Sequence, residues 1–124
     1  GPRALHQDPT TGEILGLVER YRQAGVKHLS VNTDSPVVAQ HELSLQAALA
    51  VRYGLPWELG LAAVTLEPAI AIGLGDRLGS LTPGKEADVV MWTADPLDPR
   101  SHVLVTVSGG RIALDQREPE ARRW

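Results

Sequence analysis

Residues 79–90 read Gly-Ser-Leu-Thr-Pro-Gly-Lys-Glu-Ala-Asp-Val-Val, a polar turn that leads directly into an apolar strand. Pro83 fixes one backbone dihedral of this turn, and Gly84 permits a positive one. Upstream, residues 31–36 read Val-Asn-Thr-Asp-Ser-Pro and place one carboxylate at the end of an apolar segment. A strand that ends in a carboxylate is followed by helices and then by this turn. We expect this order of elements in an α/β fold, and in a chain that holds only part of such a fold.

After residue 76 the apolar period changes from that of a helix to that of a strand. The pattern predicts strands over residues 87–92 and 103–108, and a returning strand that carries Ile112 and Leu114. Gly109-Gly110 is a two-residue hairpin signal between the last two strands. Because three strands do not close a core by themselves, we expect this sheet to need partners.

Before residue 76 the sequence alternates helical and extended patterns. An irregular start over residues 1–11 leads to a helix with apolar residues recurring from Ile14 to Tyr21, and residues 26–32 then read as a short strand. Two further helices are predicted over residues 41–53 and 57–64. Thr65 is expected to cap a fourth helix through its side chain. Such a succession favours a parallel sheet covered by helices.

Composition narrows the class of protein. Apolar residues make up 43% of the chain and charged residues 22%, the net charge is −3, and cysteine is absent. These values are ordinary for a soluble globular protein, and they favour neither a nucleic acid nor a membrane as a partner. Disulfides and thiolate catalysis are excluded, and no signal peptide is visible. The compartment stays open, with the cytoplasm as the preferred expectation.

Asp34 is the candidate catalytic residue, because chemistry in parallel α/β folds sits at the carboxyl ends of strands. A carboxylate there can bind a metal or accept a proton from water. The alternative is that Asp34 only caps its own turn. His41, seven residues later, is a candidate substrate-binding residue, with a solvated helix cap as its alternative. A phosphate-loop motif is rejected because Gly84-Lys85 is followed by Glu86 and not by Ser or Thr. A dinucleotide motif is rejected because Gly73-x-Gly75 is too short and lacks a preceding strand.

Several motifs in one order resemble the C-terminal part of a metal-dependent amidohydrolase, in the subgroup related to imidazolonepropionase. The matching stretches are residues 32–38, 45–54, 63–69 and 76–88, followed by Trp92, Asp95-Pro96 and Gly109-Gly110-Arg111. The resemblance covers about residues 26–115. It implies an α/β fold made of the C-terminal portion of a TIM-like (β/α)8 barrel, residues 1–75, followed by the C-terminal strands of a small composite β-sandwich, residues 76–124.

The resemblance also implies a chemistry. The family hydrolyses carbon–nitrogen bonds of small molecules, such as cyclic amides or amidine-like rings, with water activated by one or two divalent metal ions, zinc in the first instance. Asp34 would contact the metal and move the proton from the water to the leaving nitrogen. The other metal ligands of the family cannot be located in this chain, so we expect it to be inactive alone and to need the missing N-terminal barrel or a homo-oligomer. The alternatives are a non-catalytic remnant and an interaction module that pairs through a β-edge.

Overall fold

The structure is a computed structural model that describes residues 4–117. In that range one small antiparallel sheet precedes most of the short helices along the chain and a second follows them. The elements are, in chain order, β1 (Leu5–Gln7), β2 (Ile14–Gly16), α1 (Leu17–Gln23), a 3-10 turn (Gln40–Glu42), α2 (Leu43–Arg52), α3 (Trp57–Ala62), α4 (Leu66–Ala71), β3 (Val89–Trp92), β4 (Val103–Ser108) and β5 (Arg111–Asp115). The outer ends of the two parts expected from the sequence, residues 1–3 and 118–124, lie outside the described residues.

The start of the chain corrects two predictions. Residues 1–11 were expected to be irregular and a helix to begin near Ile14, yet β1 and β2 form an antiparallel hairpin with Leu5 opposite Gly16. The reason lies in the connecting turn, where the Asp8 carboxylate accepts hydrogen bonds from the backbone N–H groups of Thr10 and Thr11 at 2.7 and 3.0 Å. This turn folds the chain back, so Ile14 pairs with Gln7 and the helix starts only at Leu17.

Residues 26–32, which the sequence predicts to be a strand, do not form one in the structure. From Leu29 to Thr33 the more buried and the exposed residues alternate, as in an extended chain, but among residues 4–117 the segment has no neighbouring strand with which to form a ladder. Its tie to the helices is a hydrogen bond from the Val31 N–H to the Ala63 carbonyl at 2.9 Å. A strand is defined by its pairing, and an apolar pattern alone does not supply the partner.

The helices predicted from periodicity are confirmed, with shorter ends. They pack through small residues, since Ala47 and Ala50 of α2 and Ala63 after α3 are each at most 1% exposed. A side chain at Gly60 of α3 would place its Cβ 2.3 Å from a Val51 methyl of α2, so only glycine allows this approach. Thr65 lies at the start of α4 as predicted, but its hydroxyl donates to the Leu61 carbonyl at 2.8 Å and does not cap α4.

The turn over residues 79–90 joins the helices to the second sheet. The Lys85 ammonium donates to the backbone carbonyls of Gly75 and Leu78, the latter at 3.1 Å. Arg77 and Glu86 form an ion pair, and the Glu86 N–H donates to the Arg77 carbonyl at 2.9 Å. The two polar residues Lys85 and Glu86 therefore hold the backbone of the turn.

The second sheet has the strand order β3-β4-β5, all antiparallel, with Val89 opposite Val107 and Val105 opposite Asp115. Gly109 and Gly110 both have positive φ, 54° and 76°, as a tight hairpin between twisted strands requires. Val105 is buried, whereas four large apolar residues of the outer strands are at least 41% exposed: Val90, Met91, Ile112 and Leu114. In the described chain the sheet thus leaves apolar surface uncovered, as its three strands led us to expect.

Candidate functional site

Asp34 occupies an unusual backbone conformation at the end of the extended segment. Its φ is 49°, and among residues 4–117 no other non-glycine residue has a positive φ. The turn that follows is closed by two backbone hydrogen bonds, from Val37 N–H to the Asp34 carbonyl at 2.9 Å and from Val38 N–H to the Thr33 carbonyl at 3.1 Å. Aspartate tolerates this left-handed region better than most residues. The turn therefore fixes the backbone from which the carboxylate projects.

The residues on either side of the turn explain how Asp34 is held. Val31 and Thr33 are only 6% and 7% exposed and anchor the segment against the helices, whereas Asp34 itself is exposed. Within the described part of the chain the Asp34 carboxylate makes no hydrogen bond, so it does not cap its own turn. An anchored backbone with an unengaged carboxylate suits a group that acts on another molecule.

The histidines behave differently from one another. His41 lies in the 3-10 turn that precedes α2 and is exposed, and its substrate-binding role stays a prediction. His28, in the extended segment, has its Nδ1 3.0 Å from a carboxylate oxygen of Glu67 in α4. This contact joins the segment to a helix 39 residues away, which no local pattern signalled.

The described residues do not fit a complete metal site. Across residues 4–117 there is no group of three or more His, Cys, Asp or Glu side chains that could hold an ion. A catalytic zinc ordinarily takes three protein ligands, and Asp34 supplies one carboxylate. Any metal at Asp34 therefore needs donors from residues other than these.

The strongest electrostatic shifts lie away from Asp34. Hydrogen bonds from Arg100 lower the pKa of Asp98 to about 2, and hydrogen bonds from Arg117 lower that of Asp115 to about 2. Both carboxylates are in exposed ion pairs with a residue two positions later. Such pairs stabilise the ionised form and are typical of surface structure, so we assign neither aspartate to catalysis.

None of the helices in residues 4–117 has the length and apolar character needed to span a bilayer.

This chain is similar in sequence to members of one protein family. Residues 14–113 match the sequence model of the amidohydrolase family. The chain is 45% identical over 89 residues to amidohydrolase tasK of Hapsidospora irregularis, covering 72% of this chain and 8% of that protein. It is 40% identical over 78 residues to an imidazolonepropionase of Mesorhizobium japonicum, covering 60% of this chain and 19% of that protein.

A solved structure gives the same result. The crystal structure of an amidohydrolase from Thermotoga maritima superposes with a TM-score of 0.74 at 36% identity, over 79% of this chain and 25% of that one. The chain thus spans a quarter or less of each of these proteins. The resemblance inferred from the motifs is confirmed: this chain belongs to the amidohydrolase family.

Proposed function

We propose that this chain is the part of a carbon–nitrogen hydrolase that carries the catalytic carboxylate, Asp34. The observation that supports it most is the placement of Asp34, exposed and unengaged at the end of an anchored extended segment. The relatives are named amidohydrolase and imidazolonepropionase, which are hydrolases. In TIM barrels the active site lies at the carboxyl ends of the strands, where this residue would be.

The proposed architecture assigns residues 1–75 to the last part of such a barrel and residues 76–124 to the closing strands of a β-sandwich. Two features of the described chain support it. The extended segment has one face against helices and the other uncovered, as a barrel strand without its neighbours would. The sheet β3-β4-β5 leaves Val90 and Leu114, which flank Thr106 on one face, bare, as half of a sandwich would.

The proposed reaction uses Asp34 first as a base and then as an acid. The carboxylate accepts a proton from the attacking water as the new carbon–oxygen bond forms at the substrate carbonyl. It then delivers that proton to the nitrogen as the carbon–nitrogen bond breaks, so the residue returns to its starting state. Within residues 4–117 the Asp34 carboxylate makes no hydrogen bond, so no donor from this part of the chain occupies the oxygens that accept the proton.

The proposal includes a divalent metal, zinc in the first instance, with Asp34 as one ligand. Because the described residues offer no group of three or more donors, we expect the isolated chain to bind zinc no better than its Asp34→Asn variant. Equilibrium dialysis against zinc, with bound metal measured by atomic absorption, checks this expectation. Stoichiometric zinc in the isolated chain that is lost in Asp34→Asn would contradict it.

The reaction class is tested on the protein expressed from the complete gene that encodes this chain. The substrates are hydantoin as a cyclic amide, adenosine as a deaminase substrate and the dipeptide Ala-Pro, each with added zinc. We expect hydantoin to be opened, with the carbamoyl product followed by chromatography. Turnover of none of the three would overturn the proposal, whereas turnover of adenosine or Ala-Pro alone would keep the hydrolase and change the substrate class.

A β-edge interaction module is the second candidate, because every residue of β5 is exposed. One observation opposes it. The register between β4 and β5 shifts at Thr106/Val107, so a bulge interrupts the outer strand. Bulges disturb the even row of backbone groups that another strand needs, and they protect sheet edges from pairing. We therefore favour the hydrolase.

A further inference from the structure

We infer that Asn32 is a specificity-determining residue of the Asp34 site and that its side chain recognises a second amide group in the substrate ring. The inference rests on the proposed function and on one juxtaposition. Asn32 and Asp34 are exposed, while Thr33 between them is buried.

Burial along the extended segment alternates with a period of two. Val31 and Thr33 are 6% and 7% exposed, whereas Ser30 and Asn32 are both exposed. Val31 belongs to the buried apolar cluster that contains Ala50 of α2 and Ala63 after α3, which identifies the buried side as the one against the helices. Since side chains of an extended chain point alternately to opposite sides, Asn32 lies on the open side.

The open side of this segment becomes the interior in a barrel. Inward-facing residues alternate with helix-facing ones along each barrel strand, and the interior layers are normally filled by branched apolar residues. An asparagine in such a layer is an exception, because a buried amide without hydrogen bonds is costly. Its groups must therefore find a partner near the mouth of the barrel.

No such partner lies in the described part of the chain. The Asn32 side chain makes no hydrogen bond within residues 4–117. Two other polar side chains have partners of their own: His28 of the same segment contacts Glu67 at 3.0 Å, and the buried amide of Gln46 accepts from the Ala4 N–H at 3.2 Å. Asn32 is thus an uncommitted, exposed amide two residues before the exposed Asp34.

The chemistry of the side chain selects the group it would recognise. An asparagine amide offers N–H donors and a carbonyl acceptor together, which complement a ring that presents an N–H next to a C=O. Residues two positions apart in a chain lie at most about 7 Å apart, so an amide held by Asn32 sits within one small ring of a carbonyl attacked at Asp34. Hydantoin is the simplest such ring, because N1–H and C2=O stand beside the scissile N3–C4 bond.

The test compares hydantoin with 1-methylhydantoin, which lacks the N1–H donor, in the complete protein with zinc. For the unmodified protein we expect kcat/KM to favour hydantoin by ~10²-fold, because an unpaired polar group in the site penalises the methylated ring. Asn32→Leu, which places an ordinary barrel residue there, is expected to reduce this preference to within about threefold, mainly through KM. Asn32→Gln is expected to restore part of it.

Ser30→Ala is the matched control, since Ser30 lies on the same side of the segment but one layer deeper. It should leave the ratio of the two kcat/KM values unchanged. A merely structural role for Asn32 would lower both kcat/KM values together and keep their ratio, which would overturn the inference. Turnover of adenosine or Ala-Pro without hydantoin would overturn it too while the hydrolase proposal stood, and loss of all turnover in the unmodified protein would reject both.

Discussion

Asp34→Asn in the complete protein is expected to lower kcat for hydantoin by at least ~10²-fold, the usual scale for loss of a general base. Asparagine has nearly the same shape as aspartate and also tolerates the left-handed backbone at this position, where φ is 49°. The turn closed by the Val37 and Val38 N–H groups should therefore persist, and only the ability to accept and return a proton is lost. Steady-state kinetics measures the change, and circular dichroism shows that the fold is kept.

Asp76→Asn is the matched control, because Asp76 is also an exposed aspartate and the substitution makes the same chemical change. It lies beyond α4, outside the Asp34 turn, and kcat should stay within about twofold of the unmodified value, as is usual for surface substitutions. Full turnover in Asp34→Asn would remove this carboxylate from the mechanism. An equal loss in Asp76→Asn would show that any lost surface carboxylate disturbs the protein.

The elements that the sequence predicted are those whose signals are local. The helix over residues 43–52 follows from its apolar spacing, and the hairpin between β4 and β5 follows from Gly109-Gly110. The turn over residues 79–90 follows from Pro83 and Gly84. In each case the residues that determine the structure are neighbours in the chain, so a short stretch of sequence is enough to predict the element.

The elements that the sequence missed depend on partners far away or on competition between two structures. Ile14 fits both a helical face and a strand, and the Asp8 turn decides for the strand. The apolar residues of the 26–32 segment fit a strand, but the described chain provides no neighbour for it.

The candidate site divides in the same way. Asp34 could be singled out because a carboxylate after an apolar run and before a proline is visible in the sequence. Its positive φ, its freedom from hydrogen bonds and the exposure of Asn32 beside buried Thr33 became visible only in three dimensions. The link between His28 and Glu67 likewise spans 39 residues and has no local signal.

The second large effect is expected from Gly79→Ala in the turn that joins α4 to the second sheet. Gly79 has φ of 85°, and a Cβ there would lie 2.7 Å from the Leu66 Cα and 2.8 Å from the Thr65 carbonyl oxygen. Both are backbone atoms at the start of α4, so a side-chain rotation cannot relieve the contact. Strain at the positive φ and overpacking together should lower the free energy of unfolding by about 2–5 kcal/mol, measured by urea denaturation of the complete protein.

Gly84→Ala separates the two causes, because Gly84 has a similar φ of 94° but nothing lies within 4 Å of the Cβ that alanine would add. Gly84→Ala should lower the free energy of unfolding only through backbone strain at the positive φ, by about 1–2 kcal/mol. Gly79→Ala must therefore be the more destabilising of the two if the close approach of this turn to α4 holds the helices and the sheet together. Equal effects would mean that the turn moves away from Leu66 at no cost and that the contact does not contribute to stability.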